Sequence, residues 1–281
     1  MDHGLEGEVD IDGAHLHFSR STLTPSIVLL HGIPTNRRLW RQVAPFLAAA
    51  GHGWIAFDLL GYGKSSKPEE MDLGVASQAT IISAALRRLG WQSGTVVGHD
   101  IGGGVAQLLA LDVSVGVRRI VLVDSVAYDS FPEPGIARLK GTAWDRILAD
   151  PSFDLKKGFE KGLRQGMVNK NRVTPELVEL FERPFAGVPG RLAYLRAARS
   201  LKSEDLTSRI GEIERITCPV LLVSGSEDQF QPVAFAERLA AALPDATLKV
   251  VPSAGHFLPE DAPEALARLI VDFLKEQNKS V

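Results

Sequence analysis

Thr95-Val96-Val97-Gly98-His99-Asp100-Ile101-Gly102-Gly103-Gly104-Val105-Ala106-Gln107 decides how this chain folds. Two valines lead into Gly98, three glycines follow Ile101, and the run Val105-Ala106-Gln107-Leu108-Leu109 comes next. That order predicts a strand, a sharp turn and a helix. Gly98 and Gly102 flank Asp100 at two residues on either side, so the backbone can fold tightly and leave the aspartate on a strained turn at the strand's carboxyl end. This is the Gly-x-nucleophile-x-Gly elbow, with aspartate where serine usually stands. A helix that starts here also points free N–H groups at the carboxylate and favours its ionised form.

The surrounding chain supplies the rest of a parallel sheet. Upstream, Asp12-Gly13 between two alternating runs predicts a β-hairpin whose histidines, His15 and His17, face solvent. Buried strands follow at Ile27 to Leu30 and Trp54 to Phe57, with helices over Leu39 to Ala50 and Val75 to Leu89. Asp58, at a strand end before Gly61-Tyr62-Gly63-Lys64-Ser65, is read as an acceptor for loop amides. Downstream come strands at Arg119 to Val123, Val220 to Val223 and Thr247 to Val251, with helices Pro232 to Leu243 and Pro263 to Lys275. Alternation of this kind predicts an α/β fold with a mostly parallel, doubly wound sheet. Between residues 130 and 215 the pattern changes to short amphipathic helices broken by Pro132, Pro134, Pro151, Pro175, Pro184 and Pro189. Too long for a loop, this interval reads as a helical cap on a core formed by residues 1–129 and 216–281.

Composition narrows the function classes. At 281 residues and 45% hydrophobic content the chain can bury a full core, and a net charge of -3 offers no basic field for nucleic acid. No apolar run reaches the length of a membrane span, and the N-terminus carries no targeting pattern, so a cytoplasmic protein is expected, monomeric or homodimeric. Cys218, the single cysteine, is expected to be a packed thiol at a strand entrance. Dispersed histidines suggest no metal site, and the glycines after Asp100 lack dinucleotide-binding spacing. No cofactor is expected.

In such a sheet, reacting groups gather at the carboxyl ends of the strands. Asp100, Asp228 in Gly225-Ser226-Glu227-Asp228, and His256 in Ala254-Gly255-His256-Phe257 occupy three such ends. A carboxylate can displace a leaving group at saturated carbon, forming an ester on the protein that water must then cleave. His256 suits the activation of that water, with Asp228 orienting the ring; Asp124 is the rival acid. The main-chain N–H groups of Ile33 and Ile101 are the natural donors for the oxyanion. His31 and His99 are read as packing or loop-bonding residues. Attack by aspartate on an ordinary ester would give an anhydride, so the expected electrophile is a carbon bearing a halide or an epoxide oxygen.

With His31-Gly32-Ile33-Pro34-Thr35, Leu39-Trp40-Arg41, Asp58, Gly61-Tyr62-Gly63-Lys64-Ser65, Gly98-His99-Asp100, Asp228 and Gly255-His256-Phe257, nearly the whole chain resembles the aspartate-nucleophile branch of the α/β-hydrolase superfamily. That branch contains haloalkane dehalogenases, fluoroacetate dehalogenases and epoxide hydrolases. The resemblance implies an α/β-hydrolase fold and a small apolar substrate. Haloalkane dehalogenases cradle halide with an indole N–H after the nucleophile, and often an asparagine after His-Gly; here those positions hold Ile101 and Ile33. Fluoroacetate dehalogenases place arginines just after the nucleophile, where this chain has Ile101 and Gly104. Epoxide hydrolases use cap tyrosines, and Tyr194 lies close to one such position, with Tyr128 a second candidate. These departures favour epoxide opening. A dehalogenase using Trp144 as an atypical halide donor, an esterase or carbon-carbon hydrolase, and a non-catalytic ligand-binding scaffold are the alternatives.

Overall fold

The computed structural model describes residues 4–276. Among them one sheet holds β1 (Leu5–Ile11), β2 (Ala14–Arg20), β3 (Pro25–Leu30), β4 (Gly53–Phe57), β5 (Gly94–His99), β6 (Val117–Val123), β7 (Val220–Gly225) and β8 (Ala246–Val251). Their spatial order is β1-β2-β4-β3-β5-β6-β7-β8. The β1–β2 and β2–β4 pairs are antiparallel, and every pair from β4 to β8 is parallel. From β3 the chain moves to one side to make β4, then crosses back to the other side for β5. The carboxyl ends of β3 and β5 therefore flank a reversal of winding, where loops diverge and leave a crevice. Ile33 follows one of these strands and Asp100 the other.

Strand composition follows position. β4 is buried along its whole length and β5 almost so, as expected for strands covered on both faces by helices. Ile11 opposes Ala14 across the first turn, and Asp12 (φ 53°) and Gly13 (φ 85°) both take left-handed conformations, as a two-residue hairpin requires. One expectation here is corrected: His15 is exposed, but His17 is buried and lies 3.5 Å from Glu6. The loop after β4 runs alongside β2, with the Asp58 N–H donating to the His17 carbonyl and the His17 N–H to Ser65 Oγ at 2.9 Å, so His17 is enclosed.

The stretch expected as one helix from Leu39 to Ala50 is a 3-10 turn, Arg37–Gln42, followed by an α-helix, Ala44–Ala49. Pro45 explains the break, since a proline fits the first turn of a new helix but cannot continue an old one. Asp58 accepts from the N–H groups of Arg37 (2.7 Å) and Lys64 (2.8 Å) and pairs with the Arg37 guanidinium at 2.6 Å.

Between β6 and β7 the described residues form only helices, turns and loops. Several prolines here begin helices instead of breaking them: Pro134 and Pro175 are first helical residues, and Pro189 lies in the first turn of Gly187–Arg199. Polar clamps tie this interval to the sheet. Asn36 Nδ2 donates to the Leu180 carbonyl (2.9 Å) and Arg172 to that of Glu260 (2.7 Å). The Glu260 carboxylate, itself buried, receives Arg41 and Gln42. Cys218 is half-buried two residues before β7, and burial pushes its thiol up to about 11. No helix among the described residues is long and apolar enough to cross a membrane.

Candidate active site

Asp100 begins the helix Ile101–Ala110 directly after β5, with φ 52° and ψ -120°. A side-chain-bearing residue in this region is strained, and such strain persists only where the surroundings enforce it. Enforcement is visible on both sides. A Cβ on Gly98 would overlap the backbone of Gly102, and one on Gly32 would overlap the Asp100 side chain itself. Asp100 is thus held against the loop after β3, and its Oδ1 accepts the Ile33 N–H at 2.9 Å.

The other carboxylate oxygen, Oδ2, lies 3.8 Å from Nε2 of His256. Across the ring, Nδ1 of His256 is 2.9 Å from Oδ2 of Asp228. Asp228 is itself fixed, because its Oδ1 accepts the N–H groups of Phe230 (2.7 Å) and Gln231 (2.9 Å). Phe230 and Phe257 pack edge-on to the imidazole at 5.2 and 5.1 Å, shielding it from water. Loops after β5, β7 and β8 therefore bring Asp100, Asp228 and His256 into one line.

The charges set one another. Burial raises Asp100 to about 6, against the opposing pull of His256 and of the Ile101 and Ile33 N–H groups. Burial alone would lower His256, but Asp228 foremost, with Asp100 and Asp124, outweighs it and raises the ring to about 9. At neutral pH the resting pair is a carboxylate facing an imidazolium. Asp124, the rival acid, does not bond the ring. Its oxygens accept the N–H groups of Gly225 (2.8 Å) and Leu258 (3.3 Å), tying together the loops that carry Asp228 and His256. Burial, and then the neighbouring Asp228, push its carboxyl well above the usual range.

His31 and His99 are occupied in loop bonding. His31 Nδ1 donates to the Gly32 carbonyl (2.9 Å) while Nε2 accepts the Leu59 N–H (3.0 Å), and burial pushes the ring down to about 4. His99 Nε2 donates to the His256 carbonyl at 2.8 Å.

Tyr194 is buried in the helix Gly187–Arg199, its ring 5.6 Å from Phe159 and 5.4 Å from Phe185. Its hydroxyl has no hydrogen-bond partner among the described residues. The other two aromatic candidates are not brought to the site. Tyr128 donates to Glu214 at 3.1 Å and lies under the Arg238 guanidinium, 3.6 Å from the ring centre, so its proton is committed. Trp144 is half-buried beneath Arg138. Sequence reasoning missed Tyr62, which is fully buried between His31 (5.3 Å) and Phe185 (6.0 Å). Its only signal was a large aromatic between two glycines in a loop at a strand end. A cleft of about 470 Å³ follows the seam between Lys67, Glu69 and the helix that carries Tyr194; Asp100, Asp228 and His256 are not among its lining residues.

Comparison with known proteins agrees with this architecture. The chain matches the family described as alpha/beta hydrolase fold over residues 25–263. A protein of Mycobacterium tuberculosis (strain ATCC 25618 / H37Rv) named haloalkane dehalogenase 2 is 26% identical over 278 residues, covering 94% of this chain and 92% of its own. A 2-hydroxymuconate semialdehyde hydrolase of Pseudomonas putida is 33% identical over 234 residues, 79% of this chain and 76% of that one. Among solved structures, the epoxide hydrolase CorEH superposes with a TM-score of 0.81 at 26% identity, over 97% of this chain and 99% of its own. With its sheet order, its elbow after β5 and a family match over most of its length, the chain belongs to the α/β-hydrolase fold family.

Proposed function

We propose that this protein is an epoxide hydrolase that works through an ester on Asp100, closed over by residues 130–215 acting as a cap. One observation carries the reading: the Asp100 carboxylate is divided between two settings, Oδ1 on the Ile33 N–H and Oδ2 facing His256. Oδ2 is free to attack a ring carbon. The carbon-oxygen bond breaks, and the leaving oxygen takes a proton from Tyr194. Ester formation discharges Asp100 and removes one of the carboxylates that hold the imidazolium charged, so His256 gives up its proton, which restores the phenol. Neutral His256 then takes a proton from water as the water oxygen attacks the ester carbonyl. Oδ1 becomes the oxyanion where the Ile33 N–H already donates, with the Ile101 N–H directed at the same carboxylate. Collapse releases the diol and regenerates the carboxylate and the imidazolium oriented by Asp228.

The relative named as a haloalkane dehalogenase and the solved structure named as an epoxide hydrolase support displacement at saturated carbon. Ile33 and Ile101 at the halide-cradle positions, with an unpartnered phenol on Tyr194, favour the epoxide. The test is His256→Gln, which should stall the reaction at the ester. Mass spectrometry of that variant after exposure to 1,2-epoxyhexane should show Asp100 heavier by the mass of one epoxide. Release of bromide from 1-bromohexane, with no epoxide adduct, would instead assign a dehalogenase. No adduct from either compound would remove the nucleophile reading.

A further inference from the structure

The loop that carries His256 is gripped from two directions. On the sheet side, His99 donates to the His256 carbonyl (2.8 Å) and Asp124 accepts the Leu258 N–H. On the other side stands the end of the helix Leu155–Gly166, in the interval between β6 and β7. Asp261 joins the two. Its Oδ2 accepts the N–H of Gly255 (2.9 Å), the residue before His256, and also that of Val168 (2.8 Å), while Oδ1 accepts the Asn169 N–H at 3.1 Å. One carboxylate oxygen thus bridges the histidine loop and the helical interval. Arg172 of the interval adds a second grip by donating to the carbonyls of Glu260 (2.7 Å) and Asp261 (3.1 Å).

The fit beneath this bridge leaves no slack. A Cβ on Gly255 would overlap the Gly166 carbonyl, and a Cβ on Gly166 would overlap the rings of Phe257 and Phe230. Those are the two rings that pack edge-on to the His256 imidazole. In a close-packed interior such contacts transmit displacement, so the seat of the imidazole depends on where the helix end lies. Asp100 is held differently. Its Oδ1 is fixed by the Ile33 N–H, and its side chain is pressed by Gly32, both from the loop after β3.

We infer that Asp261 is a positioning residue for His256, fastening the histidine loop to the end of the helix Leu155–Gly166 so that the imidazole stands ready to activate water. It acts through His256 and does not touch the substrate. The step it serves, hydrolysis of the ester, rests on the reading proposed above. Because the nucleophile is held from the loop after β3, losing the bridge should spare attack on the epoxide and slow the release of product. The general base is then in place only while the helical interval is seated on its loop.

The test compares Asp261→Ala with Asp261→Asn at pH 8. Alanine removes all three acceptor contacts, whereas asparagine keeps one carbonyl oxygen to bridge Gly255 and Val168. In a single turnover of 1,2-epoxyhexane followed by mass spectrometry, Asp261→Ala should form the Asp100 ester within about twofold of the parent rate and hydrolyse it at least about tenfold more slowly. Asp261→Asn should stay close to the parent in both steps. A second readout needs no substrate: the low-field proton NMR signal of the His256 Nδ1–H bonded to Asp228 should persist in Asp261→Asn and shift or vanish in Asp261→Ala. Gly166→Ala, which presses on Phe257 and Phe230 from the helix side, should show the same split between the two steps, and it carries the test if Asp261→Ala does not fold. Equal slowing of both steps, an unaffected rate of hydrolysis, or an unchanged NMR signal in Asp261→Ala overturns the role of Asp261. If the His256→Gln variant forms no adduct, the Asp100 reading falls by itself, and the NMR comparison alone decides whether Asp261 places the ring.

Discussion

Nε2 of His256 stands 3.8 Å from Oδ2 of Asp100, while Nδ1 of the same ring is 2.9 Å from Asp228. The first distance is too long for a hydrogen bond and the second is a good one. The imidazole is therefore anchored to Asp228 and acts on Asp100 through charge. That leaves Oδ2 uncommitted as a nucleophile, and it couples the titration of the two groups.

The coupling predicts a pH dependence. Ester formation needs ionised Asp100, so its rate in a single turnover should rise with pH around a midpoint of about 6. His256 holds that midpoint down. Replacing it with glutamine removes the cation, so the midpoint of adduct formation in His256→Gln should lie above 6. Adduct yield against pH by mass spectrometry checks this, and a midpoint near the ordinary carboxylate value of about 4 would contradict the buried setting of Asp100.

The same shift predicts a change in stability. A carboxyl whose folded-state pKa is raised favours folding while it is protonated, and that contribution is lost as pH rises through about 6. At pH 8 the ionised Asp100 therefore weighs against the fold. Asp100→Asn removes that burden and can still accept the Ile33 N–H. Its gain should be on the order of 1–3 kcal/mol at pH 8 and smaller at pH 5. Denaturant unfolding at both values measures it, and an equal gain at both would show that charge burial is not the cause.

Asp228 and Asp124 should separate cleanly. Asp228→Asn removes the carboxylate that most raises His256, so the ring's pKa falls, its orientation loosens, and the ester should accumulate during turnover. A loss of at least about a hundredfold in steady-state rate is expected. Asp124→Asn leaves the Asp228 bond intact but offers one carbonyl oxygen to two N–H groups, so it should loosen the tie between the loops after β7 and β8 while ester hydrolysis continues. If Asp124→Asn stalled hydrolysis and Asp228→Asn did not, the orienting role would belong to Asp124.

What could be read in the sequence was whatever local pattern determines. The strand-turn-helix around Asp100 is such a pattern, and so are the loops after β7 and β8 that carry Asp228 and His256. Parallel order then places their ends side by side. Contacts set by distant segments were not legible. His17 alternates like a surface residue, and only the distant loop that brings Asp58 and Ser65 to its backbone encloses it. Tyr128 looked available until the fold brought Glu214 to its hydroxyl from 86 positions away. Tyr62 sits in a loop whose glycines announce a turn, and nothing local reveals that its ring is folded back against His31. In the sequence the prolines read as helix breakers, but Pro134 and Pro175 open helices and Pro189 lies within a first turn, because a proline fits the start of a helix.

Gly32 gives the most direct test of how Asp100 is held. Its backbone conformation is one that any residue can adopt, so alanine there adds a methyl group and little else. That methyl would overlap both Cβ and Oδ1 of Asp100, and Oδ1 is the oxygen bound to the Ile33 N–H. Either the carboxylate turns away from Ile33 or the loop after β3 retreats from the elbow. In both cases the nucleophile and its oxyanion donors lose register, and displacements of this size are costly to a reaction that depends on aligned atoms. Gly32→Ala in the His256→Gln background should therefore slow adduct formation by at least about a hundredfold, with overpacking costing about 1–3 kcal/mol of stability. An adduct rate within a few-fold of the parent would falsify the division of labour between the two oxygens of Asp100.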